Sequence, residues 1–430
     1  MKRLTDFVQE HMNDDVARLI LNRSRWPKID MDLAAACIES RRKLKNKVRE
    51  WYDNPELIFP VRLSAEQCSS TATGTYKSAL VRRISSTTTG TALPVIADLT
   101  GGLGVDTWFL SRSAAHVHYH EMQETLCRAA EHNFKILNAG NITINNVITT
   151  KETIDDILDK SRPDIVYMDP ARRGRDGRKV FLIEECTPDV LTLRDDVFRK
   201  CRHLLIKLSP MADISMICDR LGKTCREVHV IASDGECKEL LVWMDREWND
   251  EHTVIAAELP QDYPDAPESG FSFRPSEEKS SRYALWRLPV HDKAFLFEPG
   301  KALMKSGCFS TIAERFGLLK LGASTHYYIA DSATSALMSF GKLFDIISCS
   351  PLDKRSIKAT GKEYPHSEVT ARNIPMDTET LRKKMGVTSG DDAHIFGLKS
   401  DTEGNLLFVT KRVSATDVPD AEGQAQPSQG

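Results

Sequence analysis

The sequence predicts an α/β fold: a doubly wound, mostly parallel sheet, with a helical region before it and a small α+β domain after it. Two patterns carry the prediction. From Leu93 onward, short apolar runs alternate with amphipathic stretches, giving strand–helix units in series. Strands that alternate with helices build right-handed βαβ units and a parallel sheet. The alternation then stops: the runs 226–233 and 236–244 are joined by Asp234-Gly235, a tight-turn pair, with no helical stretch between them. A plain dinucleotide-binding sheet continues to alternate, so a closing antiparallel hairpin sets this one apart.

The elements follow in order. In residues 1–85, Phe7, Met12, Val16, Leu19 and Ile20, then Leu33, Ala36 and Cys37, recur at helical spacing, with Pro27 as a break. Arg41, Arg42, Lys43, Lys45, Lys47 and Arg49 follow as a basic run, read either as a solvated helix face or as a patch that holds phosphates. The α/β domain spans 86–258. Its strands are expected at 93–100, 116–122, 141–150, 163–170 and 203–210, each followed by a helix, and Thr187-Pro188 reads as the cap and first residue of one of them. Residues 259–282, rich in Pro, Ser and charge, read as a linker, 283–413 as a smaller mixed domain, and 414–430 as a tail without the apolar content to fold.

Composition excludes several classes. With 41% hydrophobic and 28% charged residues, the 430-residue chain reads as an ordinary globular protein. A formal charge of −3 rules out a simple polycation, so any nucleic-acid contact must be through local basic patches. No apolar stretch reaches about 18 residues, so no membrane span is expected. The ten cysteines include no CxxC pair or zinc-like cluster, which fits a reducing, cytoplasmic setting.

Three motifs carry chemistry. Asp98-Leu-Thr100-Gly101-Gly102-Leu-Gly104 ends the first strand, where small residues let a ligand approach the backbone and the next helix offers free N–H groups. Thr107 stands where a dinucleotide GxGxxG would need a small residue, which lowers that reading. Glu121, at the tip of the second strand, can accept from both hydroxyls of a ribose. Asp169-Pro170-Ala-Arg172-Arg173-Gly174 follows the fourth strand, beside the point where strand order reverses, and Arg172, Arg173, Arg175, Arg178 and Lys179 suggest an anionic substrate. His116, His118 and His120 share one strand face, but a metal is not expected there.

Together, Asp98 to Gly104, Glu121 and Asp169 to Arg172 resemble motifs I, II and IV of class I S-adenosylmethionine (SAM)-dependent methyltransferases, and Asp-Pro-Ala-Arg is similar to the Asp-Pro-Pro-Arg and Asp-Pro-Pro-Tyr signatures of nucleic-acid methyltransferases. Glu66 to Ser70, Thr73, Tyr76 and Lys77, with Glu298 to Gly307 and the stretch from Lys354 to Arg412, resemble bacterial methyltransferases with a THUMP-like C-terminal domain. The resemblance implies a Rossmann-like class I methyltransferase sheet, SAM as cofactor, no metal, and an RNA substrate (tRNA or rRNA). It implies cofactor contacts at Asp98, Thr100, Gly101, Gly102, Gly104, Asp106, Glu121 and Met122. It implies catalytic roles for Asp169, Pro170 and Arg172, and substrate contacts at Arg173, Arg175, Lys207 and Ser209. Two departures stand out. Arg172 replaces the aromatic residue that stacks a flipped base, and the fifth strand ends in Ser209-Pro210 without the cysteine that covalent C5 methylation needs. The alternatives are a catalytically weak SAM- or nucleic-acid-binding module, or a methyltransferase of a protein or small molecule.

Overall fold

The structure is a computed structural model, and it describes residues 2–87, 90, 92–171, 186–260, 270–290, 293–414, 416 and 418. The chain forms two compact units: Met1–Asp234 with Lys238–His252 and Leu259–Ser269, and Gly235–Cys237 with Thr253–Glu258 and Gly270–Gly430.

The first unit opens with six helices: α1 (Lys2–Glu10), α2 (Val16–Leu21), α3 (Met31–Leu44), α4 (Arg49–Asp53), α5 (Arg62–Gln67) and α6 (Thr71–Ser86). Side chains close their free N-termini. Asp15 caps α2, Asp30 caps α3, and Ser70 with Thr73 forms a capping box on α6. The basic run divides: Arg41 is buried and Lys47 half-buried, whereas Arg42, Lys43, Lys45 and Arg49 are exposed. Arg41 is buried and its guanidinium donates to the carbonyls of Tyr52 (2.7 Å), Asn54 (2.8 Å), Pro55 (3.4 Å) and Leu57 (2.8 Å). Arg42 donates to Met12 O and Asp14 O, and Lys47 to Glu66 O and Cys68 O. These cations fasten loops that have no regular backbone partners.

Seven strands follow: β1 (Val95–Asp98), β2 (His116–Glu121), β3 (Ile142–Asn146), β4 (Ile165–Met168), β5 (His203–Leu208), β6 (Cys225–Ser233) and β7 (Glu236–Asp245). They lie in the order β3-β2-β1-β4-β5-β7-β6. Neighbours from β3 to β5 are parallel, whereas β7 runs antiparallel to β5. Every residue of β4 and β5 is buried, as strands covered on both faces require. The order reverses between β1 and β4, so the loops after these two strands open side by side. The helices between strands are α7 (Val105–Ser111), α8 (Glu124–Ile136), α9 (Ile154–Ser161), α10 (Val190–Lys200) and α11 (Ile214–Leu221). α10 starts later than the sequence suggests. Asp189, whose carboxylate takes the N–H groups of Leu191 and Thr192, is its cap, while Thr187 pairs with Ala171.

The N-terminal helices share a core with the sheet. Trp51 and Phe59 pack with Trp108, Phe109, Tyr119 and Phe134. Fully buried Asn133 on α8 takes the N–H of Ile58 and donates to its carbonyl, both at 2.8 Å.

In the second unit, β8 (Thr253–Leu259) pairs antiparallel with β9 (Phe271–Phe273), and α12 (Pro275–Ser280) follows. The stretch read as a linker therefore contains a strand and a helix. Eight further strands form a second sheet: β10 (Ala284–Leu285), β11 (Phe295–Pro299), β12 (Leu319–Lys320), β13 (Tyr328–Ala330), β14 (Gly341–Pro351), β15 (Glu368–Arg372), β16 (His394–Ser400) and β17 (Gly404–Arg412). Their order is β10-β12-β13-β11-β14-β17-β16-β15. Among the described residues no helix is long and apolar enough to cross a membrane.

Candidate active site

The loop after β1 is shaped by a carboxylate that faces inward. Asp98 is fully buried; Oδ1 accepts the Thr100 N–H at 3.0 Å and Oδ2 the Thr107 hydroxyl at 2.6 Å. Burial pushes its pKa up to about 7 against these hydrogen bonds. Asp98 thus ties the loop to α7 from behind. Thr107, the residue that spoils a dinucleotide motif, is the partner it needs.

In front of that tie the backbone is open. Gly102 has φ +54°, and a Cβ there would meet only Thr100 O, at 3.7 Å. Gly104, the residue before α7, has φ +89°, and a Cβ would lie 2.7 Å from the Phe134 ring. Gly101 is small for a packing reason, since a Cβ would lie 2.2 Å from the ring of Tyr119. Glu121 crosses from β2: Oε2 accepts the Gly102 N–H at 2.9 Å and Oε1 the Gln123 N–H at 2.8 Å. A carboxylate offers about four lone-pair positions, so two acceptor positions remain. Met122 beside it and Ile148 after β3 are both exposed.

These groups line a cleft of about 420 Å³ with Thr100, Gly101, Gly102, Gly104, Asp106, Glu121, Met122, Asp169, Pro170 and Lys207 on its walls. The volume suits a small-molecule site. Of the expected cofactor residues, only Asp98 stands behind the wall. The loop after β4 is held to the loop after β1 by the Asp169 N–H, which donates to Thr100 Oγ1 at 2.6 Å.

A second cleft, of about 570 Å³, shares Gln67, Cys68, Asp169, Pro170 and Lys207 with the first. Its other walls include Lys43, Lys47, Ser69 and Thr73 from the N-terminal helices, Ser209 after β5, and Lys238 and Glu239 on β7. Beyond Ser209, Asp213 caps α11 by accepting the Met216 N–H at 2.9 Å. Arg172, Arg173 and Arg175 lie outside the described residues.

A buried ionic network joins the two clefts. Lys207 Nζ is 2.7 Å from Asp169 Oδ2 and 3.5 Å from Asp106 Oδ2. Lys77, fully buried on α6, donates to Glu239 Oε1 (2.5 Å) and Ser69 Oγ (2.7 Å) and is 3.2 Å from Asp106 Oδ1. Tyr167 donates its hydroxyl to Asp106 Oδ2 at 2.9 Å. Burial alone would raise the Asp106 pKa, but Lys77 and Lys207 outweigh it and hold the carboxyl ionised. Burial would likewise lower Lys207, yet Asp169, Asp106 and Glu239 raise it well above the usual lysine value. The sequence reading assigned Lys77 and Glu239 no role. Composition gave no distinct signal, because α6 also carries Arg82 and Arg83, and β7 also carries Glu236, Lys238 and Asp245.

His116, His118 and His120 do place their rings in a row, 4.7 and 6.4 Å apart. His120 Nδ1 bonds Asp98 O at 3.0 Å, and burial lowers its pKa to about 4. Among the described residues no group of three or more His, Cys, Asp or Glu side chains is placed to hold a metal ion.

The crystal structure of a "putative methyltransferase" from Porphyromonas gingivalis W83 matches with a TM-score of 0.80 at 29% identity, over 96% of this chain and 98% of that one. Residues 341–412 match the THUMP domain-like family, and residues 295–336 a ferredoxin-like domain family. The chain shares the fold of a methyltransferase and ends in a THUMP-like domain. The methyltransferase fold places both clefts at the C-terminal ends of the parallel strands. An rRNA methylase from Streptococcus thermophilus matches over 40% of this chain and 93% of its own, with 12% identity and a TM-score of 0.28. A SAM-dependent methyltransferase from Agrobacterium tumefaciens matches over 40% and 61%, with 14% identity and a TM-score of 0.30. No curated protein matches the chain.

Proposed function

We propose that this chain is a SAM-dependent methyltransferase of class I whose acceptor is RNA, tRNA or rRNA. The observation that carries the reading is the pair of clefts that meet at Asp169 and Lys207. The first has what a nucleoside cofactor needs. Glu121 has acceptor positions left for ribose hydroxyls, Met122 and Ile148 offer apolar surface to a purine, and Gly102 leaves the loop open beside them. SAM, when bound there, supplies an already activated methyl group, so the protein's task is alignment. Holding two reactants in line is worth several orders of magnitude in rate. Asp169 and Pro170 form the shared wall and orient the acceptor, and Lys207 fixes the Asp169 carboxylate. Thr100 holds the backbone of Asp169 in register with the cofactor loop. Arg172, Arg173 and Arg175 would grip phosphates. The THUMP-like match at residues 341–412 supports RNA as the partner.

The test is methyl transfer from labelled SAM to total RNA from a strain lacking the gene. Label should enter RNA with the wild type and not with Asp169→Asn. RNA that takes up no label, while purified protein or metabolites do, would refute the acceptor class.

A further inference from the structure

We propose that Tyr283, Phe309, Lys320 and His326 of the second unit form a nucleotide subsite, in which Lys320 meets an anionic oxygen and Tyr283 stacks on a base of single-stranded RNA. The inference rests on the RNA reading above and adds to it a contact distant in sequence from the methyl-transfer motifs. Phe309, Lys320 and His326 fall within the ferredoxin-like match at 295–336, and none of the four within the THUMP-like match at 341–412.

Two polar groups here lack the partners that burial demands. Lys320, on β12, is 2% exposed, and among the described residues its ammonium has no hydrogen-bond or ion-pair partner. Aromatic rings lie beside it instead: Nζ is 4.2 Å from the centre of the Tyr283 ring and 5.9 Å from that of Phe309. The acidic groups that act on it are occupied elsewhere. Glu278 accepts the N–H groups of Phe309, Ser310 and Thr311 at 3.1, 2.7 and 2.8 Å and the Thr311 hydroxyl at 2.8 Å, and Asp401 accepts the Ala323 N–H at 2.8 Å. Burial lowers the lysine's pKa against the pull of these two carboxylates. The second group is His326. Its ring stacks on Phe309, with centroids 3.5 Å and planes 14° apart, and its Nδ1 is buried without a hydrogen bond. A buried ammonium that lacks a hydrogen-bonded partner is costly, and ring faces offset only part of that cost. An anionic oxygen completes the set. Tyr283 is 39% exposed, so rotation of this one surface side chain uncovers the ammonium and presents a ring face to a base. The segment around it suits a single strand. Arg282 and Arg287 are exposed on either side, and Leu285 and Leu288 are 38 and 44% exposed. Rings interleaved with cations hold bases by stacking and the backbone by charge.

The experiment is fluorescence-anisotropy titration of the full chain, at low salt, with a single-stranded RNA oligonucleotide of mixed sequence and with the same sequence as a duplex. Wild type, Lys320→Met and Tyr283→Ala are compared, and urea unfolding of each is recorded beside it. Both variants should bind the single strand about tenfold more weakly, the size of one stacked base. Duplex affinity should change less, because paired bases offer no free face. Lys320→Met keeps the apolar stem and removes the unpartnered charge, so its unfolding midpoint should stay or rise. A lysine that served only the fold would give the reverse: a lower midpoint with RNA affinity intact. Should Lys320→Met fail to fold, Tyr283→Ala decides. Wild type that binds the single strand, with either folded variant binding it equally well, would overturn this subsite and leave the RNA reading intact. Wild type that binds neither form of RNA would overturn the RNA reading and this inference with it.

Discussion

Replacing glycines of the β1–α7 loop by alanine separates a packing reason from a ligand reason. At Gly104, a Cβ lies 2.7 Å from the Phe134 ring, which is buried in the core and has nowhere to move. Overpacking of this kind costs about 1–3 kcal/mol, and the left-handed backbone at φ +89° adds about 1–2 kcal/mol for any residue with a Cβ. Gly104→Ala should therefore destabilise the protein by about 2–5 kcal/mol. At Gly102 only the backbone contribution applies, because the nearest atom to a Cβ is 3.7 Å away. Gly102→Ala should cost about 1–2 kcal/mol, yet it puts a methyl group into the cofactor cleft. Urea unfolding at constant m-value reads the first effect, and SAM titration reads the second. The expected pattern is a nearly stable Gly102→Ala with SAM affinity reduced tenfold or more. If Gly102→Ala unfolds as readily as Gly104→Ala, or binds SAM like wild type, the division between packing and ligand glycines is wrong.

Three other outcomes follow from the structure. Arg41→Met should destabilise the protein by roughly 3 kcal/mol in urea unfolding, since it strands several carbonyls that now receive charge-assisted hydrogen bonds; a loss below about 0.5 kcal/mol would mean that water replaces the guanidinium. Asp98 has its pKa raised by burial to about 7, above the unfolded value, so the native state holds the proton more tightly. Its contribution is fully present below about pH 4 and is lost as pH rises to about 7, and Asp98→Asn should remove that slope from stability measured across the window; a slope unchanged in the variant would assign it to other groups. Replacing Arg172, Arg173 and Arg175 by alanine should weaken RNA binding and flatten its salt dependence while SAM affinity stays as in wild type. Unchanged RNA affinity in 50 mM and 200 mM salt would remove those arginines from the substrate surface.

The parts of the fold legible in the sequence are those set by local pattern. The buried strand β4 reads directly from the apolar run Ile165–Met168, β5 from Leu204–Ile206 with Lys207 as its one interior charge, and the β6–β7 pair from Asp234-Gly235. The tight turn at Gly102 and Gly104 was legible because its positive-φ glycines fall within three residues at the end of a strand. What escaped depends on partners distant in sequence. Lys77 and Glu239 are 162 residues apart, and Lys207 and Asp106 are 101 apart, so their pairing follows only from the assembled sheet. Burial of Arg41 within the basic run at 41–49 escaped because its acceptors are carbonyls, which leave no mark on side-chain composition. Asp98 was read as a ligand group, yet its burial assigns it to the loop. Thr187-Pro188 looked like a helix start, but Asp189 offers the carboxylate that α10 uses. The stretch 259–282 looked like a linker because β9 is only three residues long, too short for period-two alternation to register.

The most direct test of the account is titration of the full chain with SAM, beside Glu121→Gln. Glu121 accepts the Gly102 N–H and faces the cofactor cleft, and glutamine keeps its shape while removing its charge. The account predicts about micromolar SAM affinity for wild type, and binding weakened at least tenfold in the variant, with a stability loss of about 1–3 kcal/mol because the glutamine amide accepts only one of the two backbone N–H groups that Glu121 holds. Absence of binding to wild type at millimolar SAM, or equal affinity in the two proteins, would contradict it.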